Sequence, residues 1–158
     1  MIVALFLARQ DKRIRLRVNA GYRLIVSQSR KGPPPAYVSV GITNIGHREA
    51  QVIGISWRTG LLKKRYADQT PNYNDGISSP IPIRLRDGEE AKYYFPISAD
   101  SEWLREFSDK MLAPRVAWNI RFARIRVYTS VGKVFDSYLE PGLRRKLLEY
   151  TEKHDSAQ

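Results

Sequence analysis

The stretch that decides the fold is residues 38–57, VSVGITNIGHREAQVIGISW. Apolar and polar residues alternate on each side of a short polar turn, and Val and Ile are frequent in both runs, which is typical of β-strands. Asn44 and Gly46 tolerate positive φ angles and suit the turn between the runs. The sequence therefore predicts a β-hairpin with strands at residues 37–43 and 50–57.

Similar short runs follow one another along most of the chain. Strands are predicted at residues 13–20, 22–27, 81–85, 91–97, 115–128 and 134–139. Residues 98–112 have helical periodicity instead, with Trp103 and Phe107 on one apolar stripe and Pro114 ending the pattern. Seven or eight strands without alternating strand–helix units predict an all-β fold: an immunoglobulin-like antiparallel β-sandwich with one short inserted helix and a C-terminal helix.

The apolar start of the chain is predicted to form a separate segment before the sandwich domain. Residues 1–12 begin with about seven apolar residues, fewer than the roughly 20 of a membrane-spanning helix. They also lack the charged start and the cleavage site of a signal peptide. Two interpretations stay open: a short helix packed on the domain, or the end of a membrane helix that begins upstream. We expect the sandwich at residues 13–140, and a helix and tail at residues 141–158.

The composition favours one compact domain with an anionic partner. The 158 residues are 42% hydrophobic, enough for a real core. Lysine and arginine number 27 against 16 acidic residues, a net charge of +11 that favours nucleic acid, an acidic protein or a lipid surface as partner. The lack of cysteine excludes disulfides and cysteine-ligated metals and fits a reducing compartment, so a cytoplasmic location is expected.

The sequence contains no motif typical of an enzyme. Its two histidines are far apart, and phosphate-loop and nucleophile-elbow patterns are absent. We therefore predict no catalytic residue, no metal ligand and no cofactor. His47 and Arg48 are interpreted as exposed tip residues. An enzyme would need carboxylates that converge on His47, and the candidates are Asp68, Asp75 and the turn at residues 87–90.

Arginine alternates with aliphatic residues in three runs: RIRLR at residues 13–17, IRLR at 83–86 and ARIRV at 123–127. On a strand, this spacing puts aliphatic side chains on the buried face and guanidinium groups on the outer face. If two of these strands were neighbours in one sheet, the arginines would form a cationic plane that matches phosphate geometry. The predicted members are Arg13, Arg15, Arg17, Arg124 and Arg126, and Tyr128 continues the face as a stacking residue.

An alternative explanation of the arginine runs stays open. Arginine stems cover apolar surface, and charged outer faces keep a sheet soluble and its edges unpaired. Acidic residues on neighbouring strands would then neutralise the arginines within the protein.

The run LLKKRY at residues 61–66 forms a second candidate surface. Lys63, Lys64 and Arg65 are predicted to reach phosphate or lipid headgroups. The alternative is a solvated loop with its two leucines tucked inward. Residues 58–79 as a whole are expected to form one long connection. The three tryptophans are predicted to belong to the core: Trp57, Trp103 and Trp118.

At TNIGHREAQVIGISWR (residues 43–58) and VYTSVGKVF (residues 127–135), the sequence resembles a group of uncharacterised bacterial proteins. In those proteins a β-sandwich follows an N-terminal membrane helix and a basic juxtamembrane segment. The resemblance covers about Arg13 to Leu139 and rests on two glycine-containing turns between strands. It implies a sandwich fold and a lost or cryptic membrane anchor, and it implies no activity.

Together these patterns predict a non-enzymatic interaction module whose basic sheet face binds an acidic protein surface. One alternative is a nucleic-acid-binding protein, whose affinity would fall steeply as salt rises. The other is a peripheral membrane protein that loses its membrane binding when residues 1–12 are deleted. No small-molecule substrate is evident.

Overall fold

The computed structural model describes residues 13–26, 31–71, 76–97 and 102–155. Within these ranges, eight strands form two antiparallel sheets around one hydrophobic core. The strands are β1 (Leu16–Leu24), β2 (Ala36–Asn44), β3 (Ala50–Thr59), β4 (Arg65–Asp68), β5 (Ile83–Leu85), β6 (Glu90–Pro96), β7 (Arg124–Thr129) and β8 (Val134–Tyr138). The helices are α1 (Glu102–Glu106), α2 (Val116–Asn119) and α3 (Pro141–Asp155). The predicted all-β class, with antiparallel sheets and few short helices, is confirmed.

The two sheets differ in size and in strand order. The three-stranded sheet has the order β1-β2-β6. The five-stranded sheet has the order β4-β3-β7-β8, and β5 also pairs with β3. Strands β2 and β3 therefore lie in different sheets, so the strands predicted around Asn44 exist but the predicted hairpin is wrong. The predicted pair at residues 81–85 and 91–97 is wrong in the same way, because β5 pairs with β3 and β6 with β2.

Asn44 explains why the chain leaves one sheet for the other after β2. Its buried side chain donates to the carbonyl oxygens of Arg48 and Leu85, each at 2.9 Å, and accepts a hydrogen bond from the Gly46 amide at 3.0 Å. These bonds satisfy the side-chain amide, and because Leu85 ends strand β5, one of them joins the end of β2 to the five-stranded sheet. The chain can therefore turn across the core, which residue alternation alone does not reveal.

Alternation does identify the residues of the core. Every second side chain of β1, β2, β3, β6 and β7 is buried between the sheets, and among the largest are Trp57, Tyr93, Ile42 and Ile125. The Trp57 ring meets the Trp103 and Phe107 rings edge-on, with centroids 5.6 and 5.5 Å away. The core positions predicted for Trp57 and Trp103 agree with this packing.

Three segments differ from the predicted elements. The two strands predicted at residues 13–20 and 22–27 form one continuous strand, β1. The expected connection at residues 58–79 contains strand β4, which has four residues and little periodicity of its own. The expected strand at residues 115–128 begins with α2 and a 3₁₀ turn, Ile120–Phe122, before β7 starts. Val116 and Ile120 are four residues apart, so they fit one face of a helix as well as one face of a strand. The helix turns Trp118 outward to 50% exposure, so its predicted core position is wrong.

The helical segments close the sandwich. A π-helical segment, Phe107–Leu112, follows α1, and this pair occupies the region where one inserted helix is predicted. Helix α3 covers the predicted C-terminal helix and buries Leu143 and Leu147. The predicted N-terminal segment, residues 1–12, lies outside the described residues. Within the described ranges, we find no helix with the length and apolar character that crossing a bilayer requires.

Candidate functional site

The outer face of the five-stranded sheet brings three arginines together. Arg58 of β3 lies directly opposite Arg124 of β7, and Arg126 follows two residues later on the same face. Like charges at opposite positions of neighbouring strands destabilise a sheet. Asp136 of β8 lies directly opposite Arg126 and supplies a compensating negative charge.

Asp136 is shared among all three guanidinium groups. Its carboxylate oxygens are 3.9 Å from Arg58 Nη1, 3.7 Å from Arg124 Nη1 and 3.9 Å from Arg126 Nε. We call these four residues the arginine cluster. One carboxylate against three guanidinium groups leaves an excess of two positive charges. The side chains are 16–29% exposed, so water screens this excess less than it screens fully exposed charges.

The arginine cluster also keeps unused hydrogen-bond donors. The three contacts to Asp136 are longer than a hydrogen bond, and each guanidinium carries five N–H donors. The Nε atoms of Arg58, Arg124 and Arg126 are buried and have no acceptor among the described residues. Unsatisfied buried donors are costly. The Nε atoms themselves have almost no accessible surface, so an arriving carboxylate or phosphate would meet the excess positive charge through the exposed 16–27% of the arginine side chains.

Three tyrosines surround the guanidinium groups. The Arg124 guanidinium carbon lies 4.1 Å from the ring centroid of Tyr138, and Arg124 Nη2 donates to the Tyr138 hydroxyl. Arg126 lies 5.6 Å from the Tyr66 ring and 6.0 Å from the Tyr128 ring. Cation–π contacts of this kind hold an arginine in place without neutralising it. The tyrosines therefore orient the cations and leave their charge available.

The predicted cationic plane of five arginines is wrong. Arg124 and Arg126 lie beside Tyr128 on β7, as the alternation predicts. Arg17 lies on β1, which belongs to the other sheet, where it is opposite Thr43. Arg13 and Arg15 precede β1 and are exposed. The two sets cannot form one plane, because β1 pairs with β2 and β7 lies between β3 and β8.

Two cations on the outer face of the three-stranded sheet are each paired with one carboxylate. Arg23 of β1 donates two hydrogen bonds to Glu140, at 2.8 and 2.9 Å. This contact raises the pKa of Arg23 and holds the pKa of the Glu140 carboxyl below its ordinary value. On β6, Lys92 lies 3.0 Å from Glu90, and that hydrogen bond raises the pKa of Lys92.

Glu140 reaches this face across the edge of β1. Its backbone amide donates to the carbonyl oxygen of Ala20 at 2.8 Å, and its side chain then lies over Gly21. A Cβ atom at Gly21 would be 2.2 Å from Glu140 Oε2. The glycine therefore makes room for the ion pair with Arg23.

The predicted basic loop divides into exposed and buried parts. Lys63 and Lys64 are exposed, as a binding surface requires. Arg65 turns inward and donates to the carbonyl oxygens of Lys110 and Ala113, so it holds the loop in place. The two preceding leucines do not tuck inward: Leu62 is 95% exposed.

His47 meets one of the carboxylates named for an enzymatic site. Its Nδ1 lies 2.7 Å from Asp87 Oδ2, and both side chains are more than half exposed. The pair joins the turn after β2 to the turn after β5 at the surface. Asp75 lies outside the described residues. Among the residues that the structure describes, no group of three or more histidines and carboxylates is placed to hold a metal ion.

Sequence reasoning missed four of the seven residues of the site. Arg58, Asp136, Tyr66 and Tyr138 join the predicted residues only through strand pairing. The sequence contains one indication of Arg58. It follows Gly54 and Ser56 at every second position, so a strand extended past residue 57 would place Arg58 on the same outer face. Local periodicity does not reveal that β3 pairs with β7.

Comparisons with known proteins give only weak similarity. No family model and no curated protein matches the chain. The crystal structure of the "Putative ApaA Protein from Bordetella pertussis" has a TM-score of 0.37 and 17% identity, covering 80% of this chain and 89% of that one. A second X-ray structure, a structural-genomics target, has a TM-score of 0.32 and 16% identity, covering 84% and 91%. The chain thus has a weak structural resemblance to uncharacterised bacterial proteins.

Proposed function

We propose that this chain is a non-enzymatic interaction module that binds an acidic protein surface through the arginine cluster. The observation that carries the proposal is the excess of two positive charges among Arg58, Arg124, Arg126 and Asp136 on one sheet face. A cytoplasmic location belongs to the same proposal, since a chain without cysteine suits a reducing compartment.

The shape of the cluster favours carboxylates as its ligands. Arginine forks bind carboxylates in a planar, bidentate way. Three guanidinium groups on two adjacent strands form a compact patch that suits a few neighbouring acidic side chains. Nucleic acid is bound by longer tracks of cations that follow several phosphates.

We also propose that the sandwich is immunoglobulin-like, and its strand order supports this. Strands β1, β2 and β6 occupy the places of A, B and E, and β4, β3, β7 and β8 those of C′, C, F and G. Trp57, buried to 1% exposure on β3, stands where such domains place a core tryptophan on strand C. Strand β5 departs from the pattern, because it pairs with β3. An experimental structure with another strand order would contradict this assignment.

Nucleic acid is the second candidate partner, and the tyrosines favour it. Tyr66 and Tyr138 are 53% and 45% exposed beside the guanidinium groups. Exposed aromatic rings next to arginine are the elements on which single-stranded bases stack. This alternative predicts a gel shift at low salt that disappears steeply as salt rises.

The test measures binding of the full chain to labelled polyglutamate, double-stranded DNA and single-stranded RNA by fluorescence anisotropy. The variant R124Q/R126Q removes two charges and keeps polar side chains at both positions. We expect it to weaken polyglutamate binding by about tenfold or more, because hydrogen bonds to charged groups contribute about 1.5–3 kcal/mol. R84Q is the matched control, since Arg84 is a strand arginine that is 70% exposed and 3.9 Å from Glu49.

A second control separates the cluster from overall charge. The variant R13Q/R15Q/R17Q removes three charges from β1 and the segment just before it, outside the arginine cluster, and we expect it to keep most of the binding. If it loses as much affinity as R124Q/R126Q, the arginine cluster is not the binding site. Tight nucleic-acid binding without polyglutamate binding would instead support the second candidate.

A further inference from the structure

An exposed apolar surface lies at the end of β3, in the loop that begins two residues after Arg58 of the arginine cluster. Leu61 and Leu62 of the β3–β4 loop, residues 60–64, are 47% and 95% exposed. Trp118 of α2 is 50% exposed and lines the same groove of about 400 Å³ as the two leucines. A nearly fully exposed leucine beside an exposed tryptophan is unfavourable in water unless a partner covers both.

The protein holds this loop in a fixed shape. Gly60 has a φ of +80°, and a Cβ atom there would be 2.2 Å from the Lys63 carbonyl oxygen, so the turn depends on glycine. The Thr59 hydroxyl donates to the Met111 carbonyl oxygen at 2.6 Å, and Arg65 donates to Ala113. Both ends of the loop are therefore tied to the helical segment beside it. Leu62 therefore points outward from a loop whose two ends are held by hydrogen bonds.

The charges around the apolar residues are positive. Lys63 and Arg115 line the groove, Lys64 is adjacent in the loop, and none of the described residues that line the groove is acidic. The cations Lys63, Lys64 and Arg115 are exposed. Acidic residues lie on the neighbouring helical segment, where Glu106 is paired with Lys110 at 2.7 Å and Asp109 is exposed.

We infer that this surface docks on an anionic membrane, with Leu61, Leu62 and Trp118 entering the headgroup region and the lysines contacting acidic lipids. Tryptophan and leucine next to lysine and arginine form the combination that prefers a membrane interface. A membrane suits Leu62 better than a peptide does, because Leu62 projects from the loop, whereas a peptide inserts its own side chains into a groove. The inference goes beyond the proposed function, since it uses different residues and a different partner.

The first test is co-sedimentation of the full chain with vesicles of phosphatidylcholine, with and without phosphatidylserine. We expect binding to the anionic vesicles only. L61S/L62S should lower it by about tenfold or more, the effect of leaving buried leucines in water. K63Q/K64Q should lower it by about fivefold per lysine, the usual contribution of a cation near an anionic membrane. V131S is the matched control, because Val131 is 57% exposed in the turn after β7, at the opposite end of the sheet.

The second test follows the tryptophans. Trp57 is buried at 1% exposure and Trp103 packs on it, so Trp118 is the tryptophan that a membrane would change. Anionic vesicles should shift the emission to shorter wavelength, and brominated lipids should quench it. Both effects should disappear in W118F.

Three outcomes would overturn the inference. These are no vesicle binding by the wild type, equal binding to neutral and anionic vesicles, or unchanged binding of L61S/L62S. If L61S/L62S instead loses polyglutamate binding while vesicles are not bound, the groove is a protein-binding surface. R124Q/R126Q should keep vesicle binding, so failure here is distinguishable from failure of the proposed function.

Discussion

The outer faces of the two sheets both carry basic and acidic side chains, but the two faces differ in how those charges are paired. On the three-stranded sheet, Arg23 lies 2.8 Å from Glu140 and Lys92 lies 3.0 Å from Glu90, so these two cations each have their own carboxylate, while Arg17 lies opposite Thr43. On the five-stranded sheet, three arginines share Asp136 at 3.7–3.9 Å. The number of arginines is therefore a poor guide to a binding face. What matters is where the chain places its few carboxylates.

Removing the Asp136 carboxylate should increase the charge difference between the two sheet faces most. D136N leaves three guanidinium groups without a counter-charge. We expect it to lower the free energy of unfolding by about 2 kcal/mol, less than the roughly 3–5 kcal/mol of a fully buried pair, because the cluster is partly exposed. Polyglutamate affinity should rise, by up to about fivefold. Urea unfolding and anisotropy measure the two effects, and a loss of both stability and affinity would contradict the assigned role of Asp136.

Adding a carboxylate to the five-stranded face should reduce its excess positive charge and make its charge pairing resemble that of the three-stranded face. Val134 is 38% exposed on the same face of β8 as Asp136, two residues away. We expect V134E to weaken polyglutamate binding by up to about fivefold, since an exposed charge pair contributes up to about 1 kcal/mol. V134Q is the matched control without the charge. Equal binding of both variants would show that charge excess does not set the affinity.

Removing the Arg23–Glu140 ion pair of the three-stranded face should have the smallest effect on the free energy of unfolding. E140Q removes the partner of Arg23 and should cost about 0.5–1 kcal/mol at pH 7, because the pair is partly exposed. The folded protein holds the pKa of Glu140 below its ordinary 4.5, so this stabilisation is present above pH 4.5 and is lost as pH falls through the folded pKa. Urea unfolding from pH 7 to pH 3 should show the wild type and E140Q converging in acid. A constant difference would mean that the Glu140 charge is not the source.

The sequence predicts local structure well and strand pairing poorly. Alternation identifies β2, β3 and the core position of Trp57, because each depends on one strand with one buried face. It assigns β2 and β3 to one hairpin, because periodicity does not report the Asn44 hydrogen bonds that send the chain across the core. Trp118 is misplaced for a related reason: in a short segment, residues four apart fit either a strand or a helix.

The candidate site depends on the same distinction. Arg124, Arg126 and Tyr128 are predictable, since they share one strand. Arg58 and Asp136 enter only through the pairing of β7 with both of its neighbours, and pairing is set by contacts between residues far apart in the chain. The arginines near the start of β1 repeat the same pattern and still lie on another surface, so the pattern identifies outward faces and does not identify the sheet.

The backbone of Glu140 also covers part of a sheet edge. Strand β1 is an edge of the three-stranded sheet, and an open edge can recruit a strand from another molecule. The Glu140 amide occupies the Ala20 carbonyl at 2.8 Å, and Lys133 Nζ donates to the Ile14 carbonyl at 3.1 Å just before the strand. Part of the edge is thereby closed from within the chain. Those two carbonyl groups are therefore not free to pair with a strand of another molecule, and covering an edge in this way is one means by which sheets avoid edge-to-edge pairing.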